Sequence, residues 1–131
     1  MYRWAEHTGE IELEIEADSE AGVFAEGLEA MRELLRDGGD GEAPERMRIV
    51  LEAPDRAALL ADWLGELAFL AETQGFVPDR LASLELAAGG LVAEVAGSMG
   101  EPSHLVKAAT YHRLEFERAG SGWRARVILD V

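Results

Sequence analysis

From Glu10 to Glu16 the chain alternates without a fault, with Ile11, Leu13 and Ile15 on one side and four glutamates on the other. A period of two predicts a half-buried β-strand, despite the low strand preference of Glu. Four like charges on one face repel one another, so arginines on neighbouring strands or a bound metal ion should lie beside them. Asp18-Ser19 then offers an N-cap, and Phe24, Leu28, Met31 and Leu35 recur at helical spacing, which predicts a helix over 20–36. That stripe reads as core rather than as a cofactor box. Asp37-Gly38-Gly39-Asp40-Gly41-Glu42 has the composition of a mobile loop and matches no nucleotide-binding fingerprint.

Residues 46–51 read as a second strand, which Pro54-Asp55 stops before capping a second helix over 56–73. Leu59, Leu60, Trp63, Leu64, Leu67 and Leu70 make this helix more apolar than one buried face requires, and Gly75 suits its C-terminal cap. Trp63 is expected as a core anchor. Segments 81–87 and 91–96 form a hairpin about Ala88-Gly89-Gly90. Two further strands follow, over 108–118 and 123–131, joined through Ala119-Gly120-Ser121-Gly122. In the first of these, His112, Leu114 and Phe116 fall on one side and Tyr111, Arg113, Glu115 and Glu117 on the other. The expectation is one α+β domain over 1–131: a single mixed or antiparallel sheet of about six strands, with two helices packed on one face as a two-layer sandwich.

Composition narrows the class. With 131 residues, 48% hydrophobic and 29% charged, the chain lies in the ordinary globular range and can bury a sizeable core. No apolar run approaches the roughly 18–20 residues of a membrane span, and no basic-then-apolar leader is visible, so a cytoplasmic protein is expected. Without cysteine there is neither a disulfide nor a thiolate metal site. The net charge of −14 is uneven: residues 1–55 hold 16 acidic and 5 basic side chains, a net of −11, against 10 and 7, a net of −3, in the remainder. Such a chain repels a phosphate backbone, so no direct nucleic-acid binding is expected, whereas a basic protein surface would attract it.

Evidence for catalysis is thin. The three histidines, His7, His104 and His112, include no helical i,i+4 pair, and no GxSxG elbow is present. Carboxylates offer more: Glu10 opens the first alternating strand, Asp130 closes the last, and Val131 would add an α-carboxylate if it ends the native chain. Oxygen donors of this kind suit a hard cation such as Ca²⁺, Mg²⁺ or Mn²⁺.

Three short stretches carry a family resemblance. Lys107-Ala108-Ala109-Thr110-Tyr111-His112 resembles the Lys-Ala-x-Thr-Tyr-His signature of the archease family. His7-Thr8-Gly9-Glu10-Ile11 resembles that family's His-Thr-Ala-Asp-Ile motif, with Gly for Ala and Glu for Asp, and Leu129-Asp130-Val131 matches its terminal motif with Leu129 where Pro is common. Glu12 stands where the family often has Gly. The resemblance implies a metal site at Glu10 and Asp130, with Val131 contributing, and a partner or activation surface that includes His7, Lys107, Tyr111 and His112. It further implies an accessory role: archeases activate the GTP-dependent tRNA-splicing RNA ligase by promoting its guanylylation and turnover. Two other readings stay open, a small metal-dependent enzyme using Glu10, His112 and Asp130, and a chaperone-like adaptor without metal.

Overall fold

The computed structural model describes residues 1–36 and 42–131. Its elements run β1 (Tyr2–His7), β2 (Glu10–Ala17), α1 (Glu20–Leu35), β3 (Glu42–Glu52), α2 (Arg56–Gln74), β4 (Phe76–Ala87), β5 (Gly90–Met99), β6 (Ala108–Ala119) and β7 (Gly122–Asp130). The loop expected at 37–42 lies outside the described residues except for Glu42, which opens β3.

The α+β class holds, but the strands number seven and form two antiparallel sheets instead of one sheet of about six. One is ordered β1-β2-β7-β6, the other β3-β5-β4. Both helices touch both sheets, so a single two-layer stack is replaced by a helix pair shared between two sheets. The breadth of the apolar stripe on α2 explains this. Ten of its nineteen residues are buried, more than one sheet face would cover. One core cluster joins Leu13, Ile15, Val127 and Leu129 of the first sheet to Ile49, Phe76, Ala93 and Val95 of the second.

Local chemistry fixes the helix ends. Ser19 Oγ accepts from Gly22 N at 3.0 Å and Asp55 Oδ1 from Ala58 N at 2.8 Å, each satisfying a donor that the helix itself leaves free. Gly75 takes the left-handed C-cap of α2 at φ 68°, as its type favours. Gly27, a poor helix former, lies where the helices meet: a Cβ there would stand 3.1 Å from Leu64 Cδ2. Trp63 is fully buried, and its Nε1 donates to Phe24 O at 3.0 Å across the helix pair, which makes it the expected core anchor. From the sheet side, Phe116 reaches Phe24 at 6.0 Å and Trp123 at 5.7 Å between ring centroids. Segment 100–107 returns over the end of α1, where Ser103 N donates to Leu35 O at 2.9 Å and Ser103 Oγ to Leu34 O at 3.1 Å.

Candidate functional site

The stretches 7–11 and 129–131 meet at one corner of the four-stranded sheet. Thr8-Gly9, with Gly9 at φ 75°, turns β1 into β2, a tight reversal of the kind that favours glycine. The hairpin register sets His7 opposite Glu10; the β2–β7 register sets Glu10 opposite Asp130; the β6–β7 register sets Asp130 opposite Ala108. Since Leu13, Ile15, Val127 and Leu129 face the core, Glu10 and Asp130 face outward together, at the Cβ spacing of about 4.5–5.5 Å usual for directly opposed residues. Lys107 N donates to Asp130 O at 2.8 Å and Val131 N to Gly9 O at 3.3 Å, which ties the signature block and Val131 to the same corner.

The next rows explain how four glutamates share one strand face. Arg3, Glu14, Arg126 and Glu115 form a row across all four strands. Arg3 pairs with Glu14, and Arg126 binds Glu115 at 2.6 Å. The hydrogen bond from Arg3 holds the Glu14 carboxyl below its ordinary range, and that from Arg126 does the same for Glu115. Arg124 stands opposite Glu16 and pairs with Glu117. Glu12 is buried, with one carboxylate oxygen lacking a hydrogen bond and Arg126 Nη1 at 3.9 Å. The neighbouring strands therefore do supply the arginines expected beside Glu12, Glu14 and Glu16. Glu10 differs. A second carboxylate faces it, and neither Glu10 nor Asp130 has an ion-pair partner among the described residues.

Strand β6 departs from its expected alternation. Thr110 opposes Ile128 and Glu115 opposes Arg126, so four residues, Tyr111 to Leu114, stand against Val127 alone. Arg113 takes up the bulge at φ 55°. His112 is consequently exposed rather than aligned with Leu114 and Phe116 at the edge of the core. Tyr111 is exposed as well, yet its hydroxyl donates to Asp62 Oδ1 of α2 at 2.8 Å, and that bond raises the phenol pKa. Sequence reasoning missed Asp62, since α2 reads only as core. Lys107 and His7 are exposed.

Glu10 and Asp130 supply hard oxygen donors on one face, the type a divalent cation takes. No three His, Asp or Glu side chains converge closely enough to hold a metal ion among the described residues. Two carboxylates alone do not close the shell of about 6–8 oxygens that a cation such as Ca²⁺ takes.

Comparison with known proteins fixes the family. The model of the Archease protein family matches residues 2–131. This chain belongs to the archease family. Protein archease of Methanosarcina acetivorans is 31% identical over 99% of this chain and 95% of its own, and that of Methanopyrus kandleri 32% over 96% of each. The solution structure of Methanobacterium thermoautotrophicum protein 1598 superimposes with a TM-score of 0.76 at 27% identity, covering 99% of this chain and 98% of the other. The crystal structure of an archease from Thermotoga maritima, described as a possible chaperone, gives a TM-score of 0.70 at 23% identity, covering 100% and 98%, and shows the same fold. No helix among the described residues is long and apolar enough to cross a membrane.

Proposed function

We propose that this archease is an accessory protein, not itself an enzyme, that activates the GTP-dependent tRNA-splicing RNA ligase in the cytoplasm, promoting its guanylylation and turnover. The family membership over residues 2–131 supports the accessory role, and the T. maritima relative's description as a possible chaperone agrees with it. One observation carries the site: three of the four outward glutamates on β2 have arginines beside them, and the fourth faces Asp130 with no ion-pair partner among the described residues. Two adjacent, unneutralised carboxylates favour a bound cation, which lowers their mutual repulsion.

Glu10 and Asp130, with Val131 contributing, would hold a divalent cation of the Ca²⁺, Mg²⁺ or Mn²⁺ type. Such an ion supplies charge neutralisation for phosphate oxygens when bound. The chain's own residues orient this corner: the Gly9 turn and the bond from Lys107 N to Asp130 O fix where the two carboxylates stand. The net charge of −11 over residues 1–55 steers the protein toward a basic, RNA-binding ligase, without direct contact to RNA through that half.

Guanylylation of a cognate ligase, followed with and without this protein, tests the reading. Faster formation of the ligase–GMP adduct and continued turnover are expected. No change in either would overturn it, and turnover of a substrate by the purified protein alone would favour a metal-dependent enzyme instead.

A further inference from the structure

Both sheets are open, and three of their four edge strands are blunted against further pairing. Strand β1 has only six residues, and β6 carries its bulge of four residues against one. Strand β4 contains Pro78 and two register shifts, at Pro78/Arg80 and Leu81/Ser83. Short strands, bulges and proline are the devices that keep an edge from recruiting another chain. Strand β3 is the exception. Its one irregularity lies between Glu42 and Pro44, and from Glu45 to Glu52 it runs in unbroken register against β5. Among the described residues nothing pairs with its other side, and no backbone hydrogen bond from 45–52 leads anywhere but β5.

The side chains along this edge fit a reversed copy of the same strand. Residues 45–52 hold Glu45, Arg46, Arg48 and Glu52, a net charge of zero in a chain of net −14. Arg46 and Arg48 are exposed and enter no ion pair among the described residues. Val50 beside them is 58% exposed, and Met47 and Leu51, on the core side, are only half-buried. An antiparallel pair that keeps both cores on one side of the joined sheet sets odd residues against odd and even against even. Centred on Met47 or Arg48, such a pair brings arginines face to face. Centred on Val50, it shrinks to 48–52 of each strand. Centred on Ile49, it spans 46–52 and sets Arg46 against Glu52, Arg48 against Val50 and Met47 against Leu51, each twice by symmetry.

We propose that β3 is a self-association edge: two copies of this chain pair antiparallel about Ile49 and join their three-stranded sheets into one of six strands. A ladder of backbone hydrogen bonds and the opposed arginine and glutamate pairs hold the contact, and the stem of Arg48 covers Val50 of the second copy. Electrostatics selects the occupant. Two acidic chains approach with least repulsion where the facing segments are neutral, whereas a basic partner is drawn to the acidic strands elsewhere. Strand β3 lies in the sheet without Glu10 and Asp130, so the inference stands apart from the ligase reading.

Sedimentation equilibrium from about 1 µM to about 1 mM protein tests it. The wild type should pass from the 14.2 kDa of one chain to twice that mass. Arg46→Glu and Glu52→Arg each create two like-charge pairs and should dimerise about ten- to a hundredfold more weakly. The double variant Arg46→Glu/Glu52→Arg restores both pairs and should dimerise like wild type, as should an equimolar mixture of the two single variants. Amide hydrogen exchange over 46–52 should slow as the wild-type concentration rises. A wild type that keeps the mass of one chain throughout would overturn the proposal. Single variants that dimerise as well as wild type would place the contact elsewhere and overturn it too. A loss that neither the double variant nor the mixture recovers would overturn the Ile49 register. Protection of 46–52 only on adding the cognate ligase would assign the edge to that partner and overturn self-pairing.

Discussion

Removing Arg126 should harm the protein far more than removing the buried carboxylate beside it. The Glu12 side chain is 7% exposed, one of its oxygens has no hydrogen bond, and Arg126 Nη1 is 3.9 Å away. At an effective dielectric constant of about 20 that separation gives an attraction of about 4 kcal/mol. Desolvating the carboxylate costs several kcal/mol, so the two terms nearly cancel. Glu12→Gln, which keeps the shape and removes the charge, should therefore change stability by no more than about 1 kcal/mol in either direction. Arg126→Ala leaves the Glu12 charge buried without compensation and releases Glu115, and should cost about 2–4 kcal/mol at pH 7. Adding Glu12→Gln to Arg126→Ala should recover most of that loss, because the uncompensated charge is gone. Urea unfolding of the four proteins measures the cycle. An Arg126→Ala protein within about 0.5 kcal/mol of wild type, or a double variant as unstable as the single, would refute the reasoning.

Titration calorimetry with Ca²⁺, Mn²⁺ and Mg²⁺ should give binding heat for the wild type and a large loss of it for Asp130→Ala; equal heats would remove the cation site. Lys107 is exposed, so Lys107→Ala should leave the melting temperature unchanged and depress ligase activation, and full activation by that variant would take Lys107 out of the partner surface. The Tyr2 phenol is pushed up to about 12, first by burial and then by its hydrogen bond to Glu33, and Tyr111 is also raised by Asp62. A raised folded-state pKa means that Tyr2 contributes stability fully present below its unfolded value of 10.0 and lost as pH rises toward 12. Absorbance at about 295 nm should show both tyrosines ionising above pH 10 in the native protein and near it in urea; native titration at the ordinary value would contradict the two contacts.

Much of the fold was legible because local rules acted in isolation. The alternation over Glu10–Glu16, the caps at Ser19 and Asp55 and the terminating Gly75 all fell where pattern and side-chain chemistry placed them. Strand β1 was missed, although Tyr2 and Trp4 alternate with Arg3 and Ala5 ahead of the Thr8-Gly9 turn; its brevity hid a signal that was present. The division into two sheets depends on which distant strands pair, and no local pattern encodes that β2 joins β7 across more than a hundred residues. The same limit applied at the site. Glu10 and Asp130 carried the right chemistry, but only the register made them neighbours. His112 was misplaced because alternation assumes a regular strand, and a bulge of four residues against one leaves no trace in hydrophobic periodicity.

The central claim is that the Glu10–Asp130 corner works through the ligase, and Asp130→Asn tests it most directly. The substitution keeps the size of an exposed side chain while removing one of the two facing charges, so folding should survive intact. The rate at which a cognate ligase forms its GMP adduct is then measured with wild type and variant at equal concentration and matched melting temperature. Strong stimulation by wild type and little by Asp130→Asn is the predicted result. Equal stimulation by the two proteins would contradict it.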